Sequence, residues 1–256
     1  MRYNRGVMGT ADLHMHTALG DGMAEIPELL AYVEENTGLS LVAITEHDDL
    51  HAAHVTRDAW ARGNYRFDVV LGQEVTTLEG HVLALFIEEP VPGLKPLAPT
   101  LEAVHAQGGL CIIPHPMSWL TRSVGQRAIE RIIAEGDEGV RFDGIERSGS
   151  LAARVTVKKA HRLNQERYHL AEVGGSDAHF LQAIGSSYTA FEGSTATELK
   201  QAIIQRQTRG VSVRHPSLRQ LGLGQVVRQQ WRGIMVTPRQ MGWLPTIGSF
   251  FRRVRP

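Results

Sequence analysis

Apolar residues fall into short runs along the chain, and between the runs they recur at helical spacing. "TADLHMH" (10–16) alternates polar and apolar positions, as a strand with two different faces does. "PELLAYVEENTG" (27–38) carries the helical rhythm, with Pro27 in its first turn and Gly38 as its stop. "LSLVAIT" (39–45) is a continuous apolar strand ending at "EHDD", "LHAAHVTRDAWARG" (50–63) a helix closed by Gly63, and "FDVVLGQE" (67–74) a third strand. "EVTTLEGHVLALFI" (74–87) breaks the rhythm, because two β-rich runs flank "LEG" as in a hairpin. After a proline-rich loop at 90–99, "TLEAVHAQGG" (100–109) predicts a helix with Thr100 as N-cap, and "LCIIPHP" (110–116) a strand cut off by prolines. The pattern continues with helix 127–136, strand 142–146, a long helix over 151–168, strands at 170–179 and 186–191, and a helix over 195–207. Strand and helix alternate almost throughout, which predicts parallel β/α units in a barrel or an open wound sheet.

Composition adds bounds. The apolar share is 42%, enough for one large domain to bury a core. A lone cysteine, Cys111, excludes disulfides within the chain and fits a reducing, cytoplasmic compartment. "MRYNRGVMGTADL" lacks the apolar core of a secretory signal, and no apolar run approaches the roughly 20 residues of a membrane span. Formal charge is zero overall, yet from Arg206 onward there are ten arginines and no aspartate, glutamate or lysine. The remainder is acidic by the same amount, which suits a body that gathers cations. We therefore divide the chain into a domain at 1–215 and a basic extension at 216–256, rich in Arg, Trp and Phe. The extension is expected to pack on the acidic body as a strap, the alternative being a surface for anionic lipid or nucleic acid.

Chemistry-bearing residues collect where strands end. Strand parity puts Asp12, His14 and His16 on one face and pairs Asp177 with His179. His47, Glu74 and His115 each stand at the C-terminal end of an apolar strand, and Asp21 follows His16 in the same loop region. In β/α barrels that end carries the chemistry. His81 sits at a strand start, the wrong end of a parallel barrel, unless the hairpin folds it back toward Glu74 and distorts the barrel. Six histidines, two aspartates and one glutamate, with no thiolate, suit Zn, Mn or Fe, and nine ligands suit two or three ions. His51, His54, His105, His161, His169 and His215 read as surface or satisfied core residues, and Asp12 and Glu146 as carboxylates that orient a neighbour rather than bind metal.

These pieces resemble the PHP (polymerase and histidinol phosphatase) family of metal-dependent phosphoesterases. The matching stretches are "DLHMHT…DG" (12–22), "ITEHDD" (44–49), "GQE" with "GHVLAL" (72–85), "IPHP" (113–116), "DGIE" (143–146) and "GGSDAH" (174–179), in the family's order across roughly residues 8–192. The resemblance implies a distorted (β/α)7 barrel, TIM-like, here followed by the short basic extension. It implies one ion on His14, His16, Glu74 and Asp177, a second sharing Glu74 with His81 and His115, and a third on Asp21, His47 and His179. The chain has "TEHDD" where the family often has Asp before the His, "GDG" for Ser-Asp-Gly, and "DGIERSGS" departs from the usual run after its Glu.

The implied chemistry is hydrolysis of a phosphate ester by a metal-bridging hydroxide. Asp177 and His179 are the expected catalytic residues, with either His179 or a metal-bound water protonating the leaving oxygen. Arg122 and Arg147 are candidate phosphate grips. The short span between His81 and His115 leaves no room for an inserted cap, so an open site is expected. The first-choice substrate is a small phosphomonoester, a sugar or nucleotide monophosphate. The runner-up is the 5′ end of a short oligonucleotide, and a non-catalytic metal- or nucleic-acid-binding module is the alternative from another class.

Overall fold

The apolar runs become strands whose alternate residues point into one interior. The computed structural model describes residues 7–118, 121–148, 154–213 and 215–240. Its elements are β1 (Met8–Asp12), α1 (Ile26–Asn36), β2 (Leu41–Ile44), α2 (His51–Ala61), β3 (Asp68–Thr76), β4 (His81–Leu85), α3 (Leu97–Ala106), β5 (Leu110–Ile113), α4 (Gln126–Glu135), β6 (Gly144–Ser148), α5 (Arg154–Leu163), β7 (Ala171–Gly175), β8 (Ser187–Glu192), α6 (Ala196–Ile204), β9 (Arg209–Ser212), α7 (Leu218–Leu221) and α8 (Leu223–Gln240). One sheet runs in the order β7-β6-β5-β4-β3-β2-β1-β8-β9. The β1–β2, β2–β3, β5–β6 and β6–β7 pairs are parallel, and β4 runs antiparallel to both its neighbours.

The sheet curls until β7 meets β1 and β8, giving a nearly closed, distorted β/α barrel. Gly174 N donates to Thr189 Oγ1 at 2.8 Å, Leu13 N to Gly174 O at 3.4 Å, and His16 N to Ala178 O at 2.9 Å. Leu41, Ala43, Leu83, Leu85, Ile112 and Val173 fill the interior, and Leu199, Ala202 and Ile203 of α6 close it from below. The opposite strand faces pack against the surrounding helices, with Val42, Ile44, Val82 and Ile113 meeting Leu29, Leu30 and Leu101.

Closure depends on a missing side chain. A Cβ on Gly174 would stand inside the backbone of Tyr188. Gly174→Ala is therefore expected to cost about 2–3 kcal/mol, because backbone cannot swing aside as a side chain can. Gly38→Ala, where nothing lies within 4 Å of the new methyl, should stay within about 0.5 kcal/mol. Urea unfolding of the two variants measures the difference; equal midpoints would refute the steric account.

Several expectations are corrected. Helix α3 starts at Leu97 with Pro96 at its N-cap, so Thr100 lies inside the helix and its hydroxyl donates to Pro96 O at 3.0 Å. Strand β9 was not anticipated, and β8 and β9 are both antiparallel additions. The long helix ends as α5 at Leu163 and continues through a wider turn over Asn164–Tyr168; residues 151–153 lie outside the described part. The strict alternation read in "DLHMH" also fails. β1 ends at Asp12, Leu13 packs in the interior, and Met15 packs in the outer layer.

Candidate metal centre

Backbone pairing at the strand ends sets the ligands side by side. Met15, between His14 and His16, bridges to Ala178, between Asp177 and His179. His47 bridges directly to Glu74. The hairpin pairs Thr76 with His81, and the His81 ring turns back so that Nδ1 lies 2.7 Å from Glu74 Oε1. His115 and Asp177 adopt φ of 30° and 54°, the left-handed region that redirects a side chain at the cost of strain. All nine expected ligands, His14, His16, Asp21, His47, Glu74, His81, His115, Asp177 and His179, are thereby brought to one end of the barrel.

Glu74 is the hub. Its Oε2 faces His14 Nε2 at 3.2 Å, His47 Nδ1 at 3.2 Å and His16 Nε2 at 3.5 Å; its Oε1 faces His115 Nε2 at 2.9 Å and His81 Nδ1 at 2.7 Å. Asp177 Oδ1 lies 3.6 Å from His14 Nε2 and 3.5 Å from His16 Nε2. Donors on a tetrahedral ion with bonds of about 2.1 Å stand about 3.4 Å apart, so His14, His16 and Asp177 have the spacing of one coordination shell, and Glu74 stands at the same spacing from both histidines. Asp21 Oδ1 lies 3.5 Å from His16 Nδ1, and its Oδ2 lies 3.2 Å from His179 Nε2.

The imidazole tautomers fit the same reading. Nδ1 of His14 donates to Glu146 Oε1 (2.9 Å), that of His16 to Glu46 Oε2 (3.3 Å), that of His115 to Ser123 Oγ (2.7 Å), and that of His179 to Asp177 O (3.0 Å). Each bond places the proton on Nδ1 and leaves the Nε2 lone pair facing the cluster, as metal-binding histidines require. His16 Nε2, His47 Nδ1 and Asp21 Oδ1 are buried without a hydrogen-bond partner. Buried polar atoms are rarely left so, and three together at one spot mark a place for cations.

Electrostatics point the same way. Burial opposes charge on His14, yet Glu146, Glu74 and Asp177 hold its imidazolium well above the usual range. Burial is likewise outweighed at His16 by Asp177 and Glu46 and at His179 by Asp21, so both are raised. Glu74, Asp21 and Asp177 are held below the carboxylate range despite burial, by the facing histidines. His47 goes the other way: burial brings it down to about 4. A site that draws protons onto its imidazoles to balance buried carboxylates is one that divalent cations satisfy better.

Glu46 and Glu146 complete the frame. Glu46 accepts from Thr17 N at 2.5 Å and Thr17 Oγ1 at 2.6 Å while holding His16. The sequence marked Glu46 only as a departure from the family's Asp before the His and gave it no role; its position beside His47, just past a strand end, was the available signal. Glu146 also accepts from His115 N at 2.6 Å, in keeping with the orienting role expected of it. Asp12 touches no ligand side chain. It ties the end of β1 to Ser176 N and Gly185 N, and burial raises it to about 6. Glu146→Gln should weaken metal binding about 10- to 100-fold while the fold survives, since the amide keeps the shape and loses the charge. Competition with a chromogenic chelator reads the affinity, and an unchanged constant would remove Glu146 from the centre.

A cavity of about 550 Å³ opens above these ligands. Arg122 lines it beside Thr121. Arg147 does not. It lies on the outer side of β6 against Gly210 and lines a separate small cavity with Val157 and His161. The site is also less open than expected, because α7 and α8 supply one wall through Leu218, Leu221, Val226 and Gln229. That cap comes from the basic extension, not from an insertion between His81 and His115.

Barrel and residue cluster together define a site fit for divalent ions at one end of a distorted β/α barrel. Residues 159–208 match the model of the PHP-associated family. MJ1587, a protein of Methanocaldococcus jannaschii without a described function, is 34% identical over 131 residues, which cover 47% of this chain and 75% of that protein. The 5′-3′ exoribonuclease Rnm of Salmonella typhimurium is 31% identical over 104 residues, 39% of this chain and 35% of that protein, so the match spans about a third of its length. A two-domain Bacteroides vulgatus protein containing a predicted PHP-like metal-dependent phosphoesterase has the same fold, with a TM-score of 0.63 at 17% identity over 90% of this chain and 71% of that one. The chain thus carries a match to the PHP-associated family and shares the fold of a protein containing a predicted PHP-like metal-dependent phosphoesterase.

Proposed function

We propose that this chain hydrolyses small phosphomonoesters, a sugar or nucleotide monophosphate, with two to three divalent ions (Zn, Mn or Fe) held by the nine ligands. The observation that carries the reading is Glu74, whose two oxygens face five imidazoles beneath a cavity of nucleotide size. Ions bound there would bring a coordinated water's pKa toward neutrality and offset charge on phosphoryl oxygens. The chain's own residues do the rest. Arg122 at the cavity wall offers a planar pair of donors to non-bridging oxygens. In the two-ion case His179 is not a ligand: its Nδ1 donates to Asp177 O, Asp21 favours the protonated ring, and its Nε2–H is assigned to protonate the leaving oxygen. Asp177 sets that ring while facing His14 and His16. The wall of α7 and α8 favours a compact substrate over a polymer lying across the site.

The likeness to the exoribonuclease Rnm favours a second reading, removal of nucleotides from the 5′ end of a short oligonucleotide. A phosphate-release screen over mono- and diesters after Mn, Zn or Fe loading separates the two. Free phosphate from monophosphates, lost in His14→Ala and Asp177→Ala, supports the first; release of mononucleotides from a 5′-phosphorylated oligonucleotide supports the second. Bound metal with turnover of neither class would overturn both in favour of a metal-holding module.

A further inference from the structure

Helix α8 is amphipathic in the reverse of the usual sense: it turns its polar face to the protein. Gln229, 6% exposed, and Gly233 face the metal cavity, and Arg232 Nη2 donates to Ala18 O at 2.6 Å and Gly20 O at 2.9 Å. The opposite face holds Leu223, Val227 and Trp231, which are 69, 70 and 65% exposed, and Ile234, 65% exposed, continues it where it reaches the cavity mouth. At 3.6 residues per turn these four share about 80° of the helix surface, a stripe about 17 Å long. Arg228 is exposed on the next turn position beside it. A helix that merely packs on a barrel buries its apolar stripe; this one buries Gln229 and leaves Trp231 bare.

We propose that this stripe is a docking surface for an anionic lipid bilayer, with α8 lying in the headgroup plane and the barrel held above it. Charge selects this partner. The chain carries ten arginines and no acid from Arg206 onward, and of these Arg219 and Arg228 stand exposed on α7 and α8, so two copies placed stripe to stripe would oppose like charges, whereas anionic headgroups complement them. Side-chain chemistry selects it over nucleic acid, since Leu, Val and Ile offer no stacking face and Trp231 stands alone among them. An indole and aliphatic side chains on one helix, with Arg228 exposed beside them, match the interfacial mode of membrane binding. No described helix is long and apolar enough to cross a membrane, so this docking is peripheral.

The test is sedimentation of the full chain with vesicles of phosphatidylcholine containing an equal share of phosphatidylglycerol, against pure phosphatidylcholine. Binding should be at least about tenfold stronger to the anionic vesicles and should weaken with salt. Val227→Glu/Trp231→Glu should lose at least about tenfold of that binding while keeping metal content and far-ultraviolet circular dichroism. Both side chains are solvent-facing, so loss of fold is not expected, and retained metal confirms it. Equal binding by the double variant, or none by the parent chain, overturns the proposal. So does a dimer by light scattering that the double variant dissociates, which would make the occupant a second copy. Retention on single-stranded RNA without vesicle binding would make it nucleic acid.

Discussion

Glu74→Gln is expected to remove at least one ion per chain and to slow phosphoester turnover by about a thousandfold or more. The residue is 1% exposed, and both its oxygens are committed, Oε2 toward His14, His16 and His47 and Oε1 toward His81 and His115. Glutamine keeps the volume but replaces one acceptor by a donor. That amide would hydrogen-bond an imidazole lone pair and take it out of the ligand set. It also removes the charge that offsets five surrounding histidines, leaving buried groups that neutralise by shedding protons rather than by binding cations. A metal contribution of several kcal/mol to the transition state corresponds to about a thousandfold at roughly 1.4 kcal/mol per decade. Elemental analysis of the dialysed variant and single-substrate kinetics measure both effects. Full metal content with turnover within tenfold of the parent would mean that Glu74 is a spectator.

The gathering of the candidate ligands at one end was legible because their positions follow from covalent geometry. A residue just past an apolar strand stands at one end of a parallel barrel, so His47, Glu74 and His115 could be placed from the ends of their runs. His81 could be placed only through the hairpin, and the hairpin is there: β3 and β4 pair antiparallel from Gly72–Leu85 to Thr76–His81. The features that stayed hidden depend on tertiary approach. Parity put Leu13 and Met15 on one face, but β1 ends before either and they pack in different layers. Parity likewise could not say whether Arg147 points in or out of the barrel. Because Glu146 points in to reach His14, its neighbour must point out. Glu46 was given no role because a carboxylate beside a histidine in a polar run looks solvated. Only the fold shows it buried under Gly20, where a side chain would collide with it. The wall of α8 was hidden for a further reason: nothing in a basic, glutamine-rich helix says that it will turn its glutamines toward a metal site.

Stripping the divalent ions should lower the thermal midpoint by about 10 °C, an effect on stability that is separate from the loss of activity. The nine ligands come from the ends of β1, β2, β3, β4, β5 and β7, so ions held by them tie six strand ends together. An ion present at a thousand times its dissociation constant stabilises the folded state by about 4 kcal/mol, and 1 kcal/mol shifts the midpoint of a chain this long by about 2–4 °C. Without ions the buried carboxylates Asp21, Glu74 and Asp177 rely on protonated imidazoles, and His16 Nε2, His47 Nδ1 and Asp21 Oδ1 stay unpaired. Calorimetry of chelator-treated and metal-reloaded protein measures the shift. Gly38→Ala, which lies in open space before β2 and away from the cluster, should leave both midpoints and their difference intact, whereas Glu74→Gln should shrink the difference itself. If chelation moves the midpoint by less than the scatter of repeat scans, the donors are held in place by the barrel alone. Metal binding would then be a property of the finished site and contribute nothing to building it.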